Sequence, residues 1–105
     1  MEVVDHEPGL WFLLREGRAL FLDANCNHSF IGYTFLIELA PNEVRAYRER
    51  GRDYLTRLAE GIHDSAPILV ASDSPYKGRD LSRPLGARVS AAIGAWRAGR
   101  PADAS

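Results

Sequence analysis

The chain predicts an α+β fold. We expect a three-stranded antiparallel β-meander over about residues 10–39, then a long helix over about 42–63. A loop or short strand follows, and a C-terminal helix over about 83–98. Three observations carry this prediction. Two short apolar runs, residues 10–14 and 19–24, flank a Glu16-Gly17 turn signal, which is the pattern of a β-hairpin. Residues 30–39, FIGYTFLIEL, are rich in β-branched and aromatic side chains, which suit a strand. From Val44 the apolar positions switch to helical spacing, at 44, 47, 54, 55, 58, 59 and 62.

Each element has its own local reason. Residues 1–8 read as a loose lead-in, broken by Pro8 and Gly9. Gly32 inside the third strand marks a bulge or a close backbone approach. Pro41 opens the first helix, because proline's missing N–H is unpaired in a first turn anyway. Arg45–Glu49 and Asp53–Arg57 are favourable i,i+4 pairs on its polar face. Gly51 costs about 1 kcal/mol relative to alanine in a helix interior, so a strand approaching closely there would explain it. Residues 64–83 hold three polar turn clusters and one apolar run, 68–71, which reads as a brief edge strand or a core-anchored loop. Ser82 is the expected N-cap of the last helix, with Pro84 in its first turn. Leu85, Val89, Ala92, Ile93 and Trp96 keep helical spacing, and residues 99–105 form a loose tail.

Composition narrows the function classes. A length of 105 residues suits one domain. No apolar run approaches the roughly 18 residues of a membrane helix, and the mixed charges of helix 42–63 give it no membrane-binding face. The acidic N-terminus lacks the basic flank and apolar stretch of a signal peptide. One cysteine excludes an internal disulfide. These features point to a cytoplasmic bacterial protein. The net charge of −1 hides an asymmetry: residues 1–43 hold seven acids and two bases, residues 44–105 seven acids and eleven bases. The bases are interleaved with acids rather than clustered, so direct nucleic-acid binding is not expected. The acidic first half suits a basic protein partner.

The stretch LDANCNHSF, residues 22–30, gathers the most chemistry. Strand alternation puts Ala24, Cys26 and His28 on one face and Asp23, Asn25 and Asn27 on the other. Cys26 and His28 would then sit about 7 Å apart, too far for a thiol–imidazole hydrogen bond. A small enzyme centred on Asp23, Cys26 and His28 would need a concave pocket and a perturbed thiol. The plainer reading is a buried thiol at a strand end, with Asn25 and Asn27 bonding turn backbone. No CxxC, HxxxH or HExxH spacing is present, and no glycine-rich phosphate loop, so neither a metal nor another cofactor is expected. Asn27-His28-Ser29 matches a glycosylation acceptor, which a cytoplasmic protein would not use. A second cluster, SPYKGRDLSR, offers Tyr76, Lys77, Arg79 and Asp80 beside a helix start. It reads either as a solvated connection capping the last helix or as a protein-binding patch, since Tyr and Arg are enriched at binding hot spots. Trp11 and Trp96 read as core or rim.

Taken together, LFLDANCNHSFIGYTFLIEL, YRERGRDYL and SPYKGRDLSR resemble small proteobacterial proteins of the kind that includes immunity proteins of contact-dependent growth inhibition systems. The resemblance spans residues 11–96. It implies a non-enzymatic cytoplasmic protein that binds and neutralises a cognate toxin domain by occlusion and charge complementarity. It carries no catalytic residues. The expected partner-binding residues are Asp23, Asn25, Asn27, His28, Tyr76, Lys77, Arg79 and Asp80. A homodimeric structural or regulatory protein, pairing through a sheet edge or the last helix, is the alternative.

Overall fold

The structure, a computed structural model, describes residues 1–28, 31–65 and 74–99, with the backbone alone for residues 27, 28 and 31. It is an α+β fold around a four-stranded antiparallel sheet in the order β1 (Glu2–Glu7), β2 (Trp11–Glu16), β3 (Ala19–His28) and β4 (Ile31–Glu38). The expected meander lacked β1. The segment expected to be a loose lead-in is this edge strand, paired along β2 from Glu2↔Arg15 to Glu7↔Trp11. Its composition, EVVDHE, hid it, because four of the six residues are polar or charged and the two valines are adjacent instead of alternating. The turn between β1 and β2 is closed by Leu10 N–H donating to the Glu7 carbonyl at 3.0 Å. Pro8 and Gly9, at φ 77°, supply the two central conformations of that turn.

One irregularity sets the faces of β1. The register slips between Val3 and Asp5, so that Val4 has no partner on β2. This bulge directs Asp5 to one face of the sheet and His6 to the other. Gly32, by contrast, lies in regular pairing with Asn27, and the bulge expected there is absent.

Helices cover both faces. After β4 come α1 (Pro41–Arg50) and α2 (Arg52–Ser65), two helices where one was expected. The break is Gly51, at φ 69° and ψ −147°, backbone that only glycine adopts comfortably. No atom lies within 4 Å of where its Cβ would be, so conformation explains this glycine, not a strand pressing against it. Leu55, Leu58, Ala59 and Ile62 of α2 pack on Trp11, Leu13, Leu22, Ala24, Cys26, Phe35 and Ile37. On the opposite face α3 (Ser82–Ala98) packs Val89 and Ala92, with Leu85 and Ile93, on Leu14, Phe21 and Leu36. The expected run at 68–71 and the tail from 100 lie outside the described residues.

α3 crosses its face obliquely. At its start, Leu81 N–H donates to the Leu36 carbonyl at 2.8 Å, and Leu36 N–H donates to Ser82 Oγ at 3.1 Å. Ser82 therefore ties the helix to the outer edge of β4 instead of capping it; the N-cap is Leu81. At its far end Trp96 lies against His6 of β1. A helix running from one edge strand to the other covers the half of the face near the 16–19 hairpin. The other half is left open.

Candidate cleft between the last helix and the sheet

The uncovered half of the sheet and the flank of α3 enclose an open cleft of about 1250 Å³. Its floor is one row of side chains across the sheet. Strand pairing puts His6 opposite Phe12, Phe12 opposite Asp23, and Asp23 opposite Leu36. Asn25 and Thr34 extend the floor along β3 and β4. The helical wall is Gly86, Ser90 and Gly94, with Arg97 further on. Four-residue spacing stacks these on one side of α3. Nothing lies within 4 Å of a Cβ built at Gly86 or Gly94. Each glycine costs the helix about 1 kcal/mol relative to alanine, and neither is required by backbone geometry or by a neighbour. Their effect is to keep the wall thin.

The aromatic end is ordered by ring contacts. His6 stacks on Phe12 at 5.7 Å between centroids, and the Trp96 ring stands edge-on to both, at 4.5 and 5.4 Å. The Arg97 guanidinium lies 5.6 Å from the Phe12 centroid, within reach of a cation–π interaction. Arg52 also lines the cleft, and its Nε is bound to Asp5 at 2.7 Å.

Asp23 is the group at the floor with the strongest electrostatic signature. It is 8% exposed. Burial pushes its carboxyl up to about 6, against the opposing pull of a hydrogen bond with Thr34. Among the described residues no cation lies within ion-pair distance of it.

Of the expected site residues, Asp23 and Asn25 line this cleft. Asn25 also bonds the turn, its Nδ2 donating to the Gly9 carbonyl at 2.9 Å and its backbone N–H to Leu10. Asn27 and His28 lie in β3, and their side chains are outside the described residues. The second cluster lies beyond the outer edge of β4; of its ten residues Ser82 lines the cleft, and Tyr76, Lys77, Arg79 and Asp80 do not. Arg79 is a structural clamp. Its two terminal nitrogens grip the Glu43 carboxylate at 3.1 and 2.6 Å, and one also donates to the Glu38 carbonyl at 2.8 Å. Glu43 in turn accepts from Ala40 N–H at 2.7 Å, closing the first turn of α1. Burial alone would raise Glu43; the bonds from Arg79 and Ala40 and the Arg79 charge prevail and hold it low. Asp80 accepts from Ser82 N–H at 2.9 Å. Tyr76 is half-buried against the α2 side of the core, and Lys77 is exposed.

Cys26 and Asp23 face opposite sides of the sheet and do not share a site. The thiol is fully buried, and burial pushes its pKa up despite a hydrogen bond with Tyr33. Among the described residues no three His, Cys, Asp or Glu side chains are grouped to hold a metal, and no helix is long and apolar enough to cross a membrane.

The sequence reading missed His6, Phe12, Thr34, Gly86, Ser90, Gly94 and Arg97. A signal for three of them was present: Gly86-x3-Ser90-x3-Gly94 is a small-residue face at helical spacing. His6 and Phe12 come together only through the pairing of β1 with β2, and Thr34 and Arg97 are placed by β3–β4 pairing and by the packing of α3. Comparison with protein-family models, with curated proteins and with solved structures found no match for the chain.

Proposed function

We propose that the protein is a non-catalytic binding module that takes an amphipathic organic ligand in the cleft between α3 and the sheet. The observation that carries this is the buried Asp23 carboxylate at the floor of a cleft of about 1250 Å³. Ligand sites are typically concave, apolar and aromatic, with a few convergent polar groups and a perturbed titratable residue. This cleft has each of those features. Asp23 alone does not make a catalytic site: the nearest other acid–base side chain in its row is His6, two strands away beyond Phe12.

Toxin neutralisation by charge complementarity draws less support. It needs the acids of residues 1–43 to be available on one face. Asp5, Glu16 and Glu43 pair with Arg52, Arg88 and Arg79, and Glu2 pairs with Arg15. Glu7 and Glu38, the exposed or half-exposed acids left over among the described residues, sit on opposite edge strands.

The test is a thermal-shift screen of small amphipathic compounds against the wild type and Gly94→Leu, which fills the cleft from the helical wall. We expect compounds that raise the melting temperature of the wild type and lose that effect in the variant. If every stabilising compound acts equally on both proteins, the cleft is not the binding site.

A further inference from the structure

Resting on that reading of the cleft, we propose that its ligand is an organic cation: an amine on an aromatic or alkyl body, its ammonium against the Asp23 carboxylate and its body along the Phe12–Trp96 wall. Three features of the cleft set this polarity. The first is the placement of charge. Among the described residues Asp23 is the carboxylate in the floor row, and it is more than nine-tenths buried. The cations that line the cleft stand at its rim and are engaged there, Arg52 with Asp5 and Arg97 with the face of Phe12. A ligand carboxylate at the floor would meet Asp23 with nothing to offset the repulsion. A ligand ammonium would supply the missing partner of a buried carboxylate, and such charge-assisted bonds are roughly twice as strong as neutral ones.

The second feature is the wall beside Asp23. Phe12 is its direct cross-strand neighbour, and Trp96 stands edge-on to Phe12 with centroids 5.4 Å apart. An ammonium on Asp23 thus places the ligand's next few atoms against aromatic carbon. That Arg97 already lies over Phe12 shows that this wall accommodates positive charge. The third is space. Gly86 and Gly94 leave room opposite the floor for the body of the ligand, and Ser90 between them adds one hydroxyl.

The titratable and charged groups that face the cleft are Asp23, His6 and Glu7 from the sheet, Arg52 from α2 and Arg97 from α3. The arginines keep their charge at all relevant pH values. Affinity falls as pH drops through about 6, because Asp23 becomes neutral.

The experiment uses three probes with one skeleton: 2-phenylethylamine, 2-phenylethanol and phenylacetate. Each is titrated into the full chain labelled with 15N, following the amides of Asp23, Ser90 and Gly94 and the Trp96 indole N–H. We expect the amine to shift these signals and bind at least about tenfold tighter than the alcohol at pH 7.5. Asp23→Asn, whose spectrum reports its fold directly, should bring the amine down to the alcohol's affinity. His6→Gln should retain the preference, because the carboxylate that sets it is still in place. Equal binding of amine and alcohol, or tighter binding of phenylacetate, overturns the cation inference and leaves the cleft reading standing. If none of the three probes moves the cleft signals, both fall together.

Discussion

At neutral pH Asp23 is a largely buried ionised carboxylate, and an amide in the same place would not carry the cost of burying a charge. The sign follows from linkage. Burial raises the folded-state value from the usual 3.8 to about 6, so between those limits the folded chain binds more protons than the unfolded one. The group's stabilising contribution is therefore complete below pH 3.8 and is lost as pH rises through 6. Asp23→Asn should raise stability at pH 7.5 by up to about 3 kcal/mol and change it little at pH 3.5, measured by urea denaturation at both values. Arg79 makes the opposite case. Its removal leaves Glu43 buried without its cation, so Arg79→Ala should cost about 2 kcal/mol, moderated by the partial exposure of the guanidinium. A denaturant midpoint unchanged by Arg79→Ala would return Arg79 to the list of surface residues free to bind a partner. Residue types were legible in the sequence at both positions, and Asp23 was singled out from the alternation of β3. What the alternation could not show was which face would stay uncovered, or that Arg79 would reach a glutamate 36 positions away.

Elements were read well where one face is apolar and poorly where the pattern is mixed. Strands β2 to β4 and the extent of α3 follow from their hydrophobic periods. Strand β1 does not, since only Val3 and Val4 are aliphatic and Val4 is exposed. The single long helix became two because apolar spacing continues across Gly51 while its backbone does not. Helix propensity alone would make Gly51→Ala stabilising. The positive φ reverses that expectation, and the substitution should destabilise the chain by about 1–2 kcal/mol, read as a lowered melting temperature. Gly86 and Gly94 lack that constraint. Alanine at either should stabilise α3, which makes the three glycines an internal control for the distinction between a glycine that bends the chain and one that leaves room.

Across the whole molecule, the acidic first half and the basic second half of the chain complement each other. Asp5–Arg52, Glu43–Arg79 and Glu16–Arg88 each join an acid from residues 1–43 to an arginine from 44–105. The first and third tie α2 and α3 to the sheet and the second ties α1 to the connection before α3, so the elements are held by charge as well as by two apolar cores. Because most of these pairs are partly exposed, added salt should weaken them together. Unfolding in urea at about 0.5 M salt should show a loss on the order of 1 kcal/mol relative to low salt. The charge asymmetry was visible in the sequence; its internal use required knowing that Arg52 of α2 and Arg88 of α3 return to the sheet and that Arg79, in the connection before α3, returns to α1.

The bulge at Val4 bears on how this chain tolerates change in length. Val3 faces Leu14 and Asp5 faces Leu13, so β1 holds one residue more than its partner strand counts. Deleting Val4 would bring Asp5 directly after Val3 in an unbroken ladder, with Asp5 still reaching Tyr47 and Arg52 and His6 still beneath Trp96. Deleting Asp5 or His6 would shift or remove one of those partners. Among single-residue deletions in β1, loss of Val4 should be the tolerated one, with a melting temperature close to that of the intact chain. Length variation among natural variants of the protein would then be expected at this position first.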